Sequence, residues 1–94
     1  MPKTTKYLLN NHKTMDLFTT AISKVHVDAH PEVIQVRQAY VNLNDQAESE
    51  NPNYQSSFET LREVTDSYTI PKDACEAMTT VYKKLQRADQ LQNV

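Results

Sequence analysis

Four side chains that could ligate a metal ion alternate along one short stretch of the sequence: His26, Asp28, His30 and Glu32. Imidazole nitrogens and carboxylate oxygens are ligands that zinc or another non-haem metal takes in proteins. A two-residue alternation places all four groups on one side only where the backbone is extended. Because the pattern here predicts a turn between two helices, we expect no metal site. We interpret Asp28 or His30 as the residue that caps the second helix, with Asp28 the better acceptor for its free N–H groups.

The remaining groups that could do chemistry are His12 and the only cysteine, Cys75. Nucleophilic catalysis needs a thiol with a base beside it, and every histidine is far from Cys75 in the sequence. Phosphate-binding loops need glycine, which the sequence lacks. We therefore expect no enzymatic activity and no cofactor, and we predict that Cys75 borders the core without a basic partner. His12 shares the register of Leu8 and Met15, so we expect it to lie hydrogen-bonded at the edge of the core.

The composition of the 94 residues predicts one helical domain spanning residues 1–94. Tight β-turns depend on glycine for their positive φ angles, so a chain without glycine favours long helices with few turns. The lone cysteine excludes an internal disulfide and fits a reducing compartment. No apolar run is long enough for an export signal or a membrane span. We therefore expect a cytoplasmic protein.

Charge is distributed unevenly along the chain. Residues 1–24 carry a net charge of +3, residues 25–66 carry −6 and residues 67–94 carry +1, which leaves −2 in total. This balance argues against general binding of nucleic acid. The basic ends are ordinary solvated surface on one interpretation. On the other, they attract the chain to an anionic membrane surface.

Apolar residues at three- and four-residue steps predict four amphipathic helices. The first covers approximately residues 5–25. Its inner face is formed by Leu8, Met15, Phe18, Ile22 and Val25, and is widened by Leu17 and Ala21. The second covers residues 31–47 and begins at Pro31, whose fixed φ suits a first turn. Its inner face is formed by Val33, Val36, Tyr40, Leu43 and Ala47.

The third and fourth helices are predicted over residues 53–67 and 70–91. The inner face of the third is formed by Tyr54, Phe58, Leu61, Thr65 and Tyr68, and that of the fourth by Ala74, Met78, Val81, Leu85 and Ala88. For the fourth, we expect Thr69 as N-cap, Ile70 packing back as a staple, Pro71 in the first turn and Asp73 favouring the helix dipole. Four such helices with short connections predict an all-α, antiparallel four-helix bundle.

Several residue patterns match a known family of about this size. They are Leu17-Phe18 followed by Ile22-Ser23, a charged turn with Asp28 and Pro31, Tyr40 with Leu43, and Tyr68-Thr-Ile-Pro71 with its spacing to Leu85. With these patterns the chain resembles the immunity proteins of pediocin-like (class IIa) bacteriocins, the family that includes the enterocin A immunity protein. The resemblance covers about residues 7–91, and it implies a cytosolic antiparallel four-helix bundle.

The resemblance also implies a function, which is protection of a bacteriocin producer from its own peptide. In this family, the peptide docks on the membrane part of the mannose phosphotransferase permease and holds it open. The immunity protein binds the peptide-loaded permease from the cytoplasmic side and blocks the leak. It is not catalytic, and its C-terminal half decides which bacteriocin is recognised. Several members carry a flexible tail after the fourth helix, whereas this chain ends at Val94.

If the family mechanism applies, we expect the outer face of the fourth helix to contact the permease–peptide complex or the anionic lipid beside it. The predicted contact residues are Lys83, Lys84, Arg87 and Gln90, with Lys84 at the boundary of the face. An ordinary solvated face is the other interpretation of these residues. The alternative function is that of a non-catalytic helical adaptor that binds another protein and is unrelated to bacteriocins. We expect a monomer in either case.

Overall fold

The computed structural model describes residues 2–93, and every regular element within them is helical. Helix α1 spans Lys3–Asn10, α2 spans His12–Val25, α3 spans Val33–Ala47, α4 spans Gln55–Val64 and α5 spans Glu76–Gln90; a short 3-10 helix follows at Leu91–Asn93. The predicted all-α class is therefore confirmed. None of the helices in residues 2–93 is long and apolar enough to cross a bilayer.

The first predicted helix is broken at Asn11, so the expectation of one helix over residues 5–25 is wrong in this respect. Asn11 leaves the helical range with φ −104° and ψ 6°, and its side-chain amide donates to the carbonyl of Tyr7 at 2.9 Å. Asparagine favours such local bonds over helix continuation. The break lets α1 pack against α3 and α5, while α2 packs along the same two helices beyond it.

The second predicted helix begins two residues later than expected, at Val33, and ends at Ala47 as predicted. Pro31 lies in the preceding turn, where the N–H of Val33 donates to the carbonyl of His30 at 3.0 Å. Asp28 is exposed, and no side chain caps the start of α3. The interpretation of Asp28 as the cap is therefore wrong, because four residues separate it from Val33, the first residue of the helix.

Helix α4 ends at Val64 rather than near residue 67. Three successive residues, Asp66, Ser67 and Tyr68, have φ angles of 51°, 55° and 64°. In this left-handed region the N–H of Ser67 reaches back to the carbonyl of Arg62 at 2.8 Å, which closes the helix end. Glycine normally takes such positions, so three non-glycine residues here store backbone strain.

Helix α5 begins at Glu76, six residues later than predicted. Cys75 is its N-cap, and the Cys75 Sγ accepts a hydrogen bond from the N–H of Met78 at 3.4 Å. Thr69 instead donates to the carbonyl of Asp66, and Pro71 lies in the connection. The predicted cap and first turn at these two residues are therefore wrong. Ile70 is exposed and does not act as a staple.

The predicted inner faces form the core with few exceptions. All the predicted residues of the second and third helices are buried, as are Met78, Val81, Leu85 and Ala88 of the fourth. On α2, Leu17 and Val25 are wrongly placed inside, since their exposed fractions are 64% and 74%. Val25 is the last residue of its helix.

Tyr82 buries a hydroxyl that has no hydrogen-bond partner within residues 2–93. Burial also raises the pKa of Tyr82 to about 12. An unsatisfied buried hydroxyl costs about 1–3 kcal/mol, so we expect Tyr82→Phe to raise the free energy of unfolding by about 1 kcal/mol in a urea titration. The matched control is Tyr68→Phe, which removes a hydroxyl that donates to Asp89. We expect this variant to have a lower free energy of unfolding than the wild type. A loss of stability in Tyr82→Phe would show that the hydroxyl is satisfied.

Candidate functional site

The outer face of α5 carries the residues predicted to bind a partner. Lys83, Arg87 and Gln90 are exposed, and Lys84 is half-buried at the boundary of the face. Neither Lys83 nor Arg87 forms an ion pair within residues 2–93. Both positive charges are therefore free to meet an anionic partner.

Lys84 has a structural contact as well as a charge. Its Nζ donates to Asn11 Oδ1 at 2.7 Å and lies 5.9 Å from the centre of the Tyr7 ring. Asn11 is the residue that separates α1 from α2. Lys84 therefore links α5 to the break between α1 and α2. The attraction between its ammonium group and the Tyr7 ring stabilises this contact further.

A basic surface results where α1 lies beside the C-terminal half of α5. A surface hollow there is lined by Lys3, Lys6, Tyr7, Asn10 and Leu91. Burial raises the pKa of Tyr7, and the charge of Arg87, which lies about one turn after Lys84 on α5, offsets part of that rise. We call Lys3, Lys6, Lys84 and Arg87, grouped around Tyr7, the α1/α5 basic surface. The fold thus brings together two basic segments from opposite ends of the chain.

On another side of α5, a buried carboxylate holds the end of α4. Asp89 is 7% exposed and accepts two hydrogen bonds from the Arg62 guanidinium, at 2.7 and 2.6 Å. It also accepts from Tyr68 Oη at 2.7 Å and from Gln92 Nε2 at 2.8 Å. These bonds fix Tyr68, the last of the three left-handed residues, against α5.

The electrostatics of this network favour the ionised carboxylate. Burial acts to raise the pKa of Asp89, but the hydrogen bonds from Arg62 and Tyr68 outweigh it, so the pKa lies below its usual range. Burial, together with the bond to Asp89, raises the pKa of Tyr68. Asp89 is therefore charged at neutral pH, and its charge is neutralised by Arg62 rather than presented to a partner.

The four potential metal ligands between α2 and α3 do not come together as one group. Residues 2–93 contain no group of three or more histidine, cysteine, aspartate or glutamate side chains placed to hold a metal ion. His30 instead lies between two carboxylates, with Nε2 at 2.8 Å from Asp73 and Nδ1 at 3.3 Å from Glu32. It links the α2–α3 turn to the connection before α5. Asp73 is thus an ion-pair partner rather than a residue of the helix start.

The His30–Asp73 pair makes the free energy of unfolding depend on pH, because its stabilising contribution is lost both in acid and in alkali. The hydrogen bond between them chiefly raises the pKa of His30 and lowers that of Asp73. The histidine's contribution is present below its ordinary pKa of about 6.5 and is lost as pH rises through the raised value. The aspartate's contribution is present above about 3.9 and is lost as pH falls through the lowered value.

We therefore expect the difference in unfolding free energy between the wild type and Asp73→Asn to peak at about pH 5 and to shrink on both sides. Urea titrations from acidic to alkaline pH measure it. Asp28→Asn, an exposed carboxylate in the same region, is the matched control and should show no such peak. A difference that stays constant with pH would contradict the pairing.

The structure brings a cysteine and a histidine together, contrary to the sequence prediction. His26 Nε2 lies 3.0 Å from Cys75 Sγ, although 49 residues separate them in the chain. His26 follows the last residue of α2 and Cys75 precedes the first residue of α5, so the packing of these two helix ends creates the contact. The expectation that Cys75 has no basic partner is therefore wrong.

His12 behaves as predicted. It is half-buried, and its Nδ1 lies 2.6 Å from Tyr40 Oη, with the two rings stacked. Burial raises the pKa of Tyr40 to about 12, so this hydroxyl stays protonated and can donate to the imidazole. The pair is part of the packing between α2 and α3.

Sequence reasoning found the cations of α5 but missed their neighbours on α1. The charges of Lys3 and Lys6 are visible in the sequence, but their proximity to α5 depends on how α1 packs before the break at Asn11. Comparisons of the chain with family models, with curated proteins and with solved structures gave no match.

Proposed function

We propose that this chain is an immunity protein of the class IIa bacteriocin type. It protects the producing cell by binding the bacteriocin-loaded mannose phosphotransferase permease from the cytoplasmic side and blocking the pore. The proposal starts from the resemblance over residues 7–91. The structural observation that supports it best is the α1/α5 basic surface, whose four cations form no ion pair within residues 2–93.

The fold that we propose for this role is an antiparallel four-helix bundle in which α1 and α2 together serve as one bent first helix. The packing of α2 on α3, of α3 on α4 and of α2 on α5 supports this arrangement. Thr4 and Ala88 add to it, because the Thr4 hydroxyl donates to the Ala88 carbonyl at 2.8 Å and ties the start of α1 to the end of α5. The whole of residues 1–94 is then one domain.

The binding residues that we propose are Lys83, Lys84, Arg87 and Gln90. Exposed cations next to a membrane receptor gain attraction from anionic lipid headgroups, worth about 1 kcal/mol each near the surface. The α1/α5 basic surface adds Lys3 and Lys6 to this attraction. In this proposal the protein is a monomer that acts in the cytoplasm and, in part, at the inner face of the membrane.

Peptide-dependent co-purification tests the proposal. A tagged copy of the chain is expressed with the membrane subunits of the mannose permease, and membranes are solubilised with and without a class IIa bacteriocin. We expect the permease to co-purify with the chain only when the peptide is present. Equal recovery without peptide, or no recovery with any peptide of the class, would contradict the proposed mechanism.

The second candidate is a helical adaptor that binds another protein. Exposed apolar side chains favour it, namely Leu17 and Val25 of α2 and Ile34 and Val41 of α3. The neighbouring genes discriminate between the two functions. A short peptide with a double-glycine leader and a YGNGV-type motif beside this gene supports immunity, and its absence supports the adaptor.

A further inference from the structure

The Cys75–His26 pair lies at the opposite end of α5 from the C-terminal half that carries the basic surface. The 3.0 Å distance between His26 Nε2 and Cys75 Sγ is within hydrogen-bond reach for a sulfur atom. The sulfur also accepts the N–H of Met78 at 3.4 Å. One side of the sulfur thus faces a base, and another faces a donor that stabilises negative charge on it.

A carboxylate lies near the base. The hydrogen bond from His30 chiefly lowers the pKa of Asp73, and the charge of His26 contributes to the lowering. Asp73 contacts His30 Nε2 at 2.8 Å, and the centres of the His30 and His26 rings are 6.5 Å apart, so the carboxylate lies in the neighbourhood of the base. Other titratable residues on the helix ends and connections at this end of the molecule are Lys24, Asp28, His30, Glu32, Lys72 and Glu76.

An apolar hollow adjoins the pair. Its walls come from Ala21, Ile22 and Val25 of α2 and from Ala77 of α5, with His26 and Cys75 completing the lining. Val25 is 74% exposed, so the hollow is open to solvent. Small apolar groups gain free energy by entering such a lining, whereas charged groups lose hydration there.

We propose that Cys75 is a nucleophilic site that exchanges with disulfides carrying small apolar or aromatic substituents, with His26 as its base. In the step, the Cys75 thiol gives its proton to His26 Nε2 while the sulfur attacks one sulfur of the disulfide. A new S–S bond to Cys75 forms as the old S–S bond breaks, and the leaving thiolate departs with the bonding electron pair and takes the proton from His26. Cys75 is oxidised to a mixed disulfide and the partner is reduced to a thiol.

This reactivity goes beyond the proposed immunity function and does not depend on it. The first test is the rate at which the full chain reacts with the neutral aromatic disulfide dithiodipyridine at neutral pH. A positioned base accelerates proton transfer by at least about a hundredfold in enzymes, so we expect the folded protein to react at least about tenfold faster than the urea-unfolded chain. His26→Gln should remove that advantage, and His30→Gln, the matched control, should retain it.

The hollow has its own test. Ala77→Leu fills it and should slow the reaction with dithiodipyridine severalfold, while the reaction with the polar bis(hydroxyethyl) disulfide stays within about twofold. Circular dichroism verifies that each variant is folded. A folded thiol that reacts no faster than the unfolded one, or an unchanged rate in His26→Gln, would overturn the proposal. Equal slowing with both disulfides in Ala77→Leu would overturn the role of the hollow.

Discussion

The double variant Lys83→Glu/Arg87→Glu is expected to lose protection against the cognate bacteriocin. Both side chains are exposed on one face of α5, four residues apart, and form no ion pair within residues 2–93. Placing like charges against an anionic partner costs several kcal/mol, which weakens binding by at least about tenfold. The measurement is the bacteriocin concentration that kills a sensitive strain expressing each variant.

The control for this prediction makes the same change in net charge on another part of the protein surface. Lys24 and Lys72 are exposed, and neither belongs to α5 or to the α1/α5 basic surface, so Lys24→Glu/Lys72→Glu should protect as the wild type does. Thermal unfolding shows whether each variant remains folded. If the α5 variant is folded and still protects fully, the outer face of α5 is ordinary solvated surface.

Replacing Asp89 by Ala is expected to lower the free energy of unfolding by about 3 kcal/mol. Breaking a buried pair costs about 3–5 kcal/mol, and the lower end applies because the Arg62 side chain is 47% exposed and can turn to water. The Tyr68 hydroxyl, by contrast, loses its acceptor inside the protein. This is a large share of the roughly 5–15 kcal/mol available to a small domain.

Asp89→Asn separates charge from hydrogen bonding. Its amide oxygen can still accept from Tyr68, so we expect a loss of only about 1–2 kcal/mol. Because the pKa of Asp89 is lowered, its contribution is present above the ordinary aspartate pKa of about 3.9 and is lost as pH falls through the lowered value. The difference from wild type should therefore shrink in acid. A loss below about 1 kcal/mol for Asp89→Ala at neutral pH would mean that the network does not hold α4 to α5.

The core could be predicted because it depends on periodicity alone. Val33, Val36, Tyr40, Leu43 and Ala47 recur on one face of a helix, and all five are buried. Burial of apolar surface decides such positions regardless of where the helix begins or ends. Val25 follows the same periodicity but is 74% exposed, because it is the last residue of its helix and periodicity does not show where a helix ends.

The helix ends could not be predicted, because tertiary contacts set them. Ser67 and Tyr68 adopt left-handed conformations that their residue types disfavour, and the bond from Tyr68 to Asp89 holds them there. Pro71 and Thr69 carry ordinary helix-start signals, yet the chain uses this segment to cross to α5. Asn11 did carry a local signal for the break, since asparagine is a weak helix former.

The candidate sites also include residues that could be predicted from periodicity and contacts that could not. Lys83 and Arg87 were predictable as an exposed pair, because the apolar stripe of α5 fixes which side faces solvent. The contact between His26 and Cys75 was not predictable, because it joins the ends of two helices that are far apart in the chain. The same holds for Lys84 and Asn11, whose contact spans 73 residues.

The central claim, that the chain confers immunity, is tested most directly by a protection assay. The chain is expressed in a strain sensitive to class IIa bacteriocins, and the killing concentration of each member of a panel is compared with that for an empty vector. We predict a clear rise for at least one member, retained in Lys24→Glu/Lys72→Glu and lost in Lys83→Glu/Arg87→Glu. No rise against any member of the panel would contradict the immunity function and favour the adaptor.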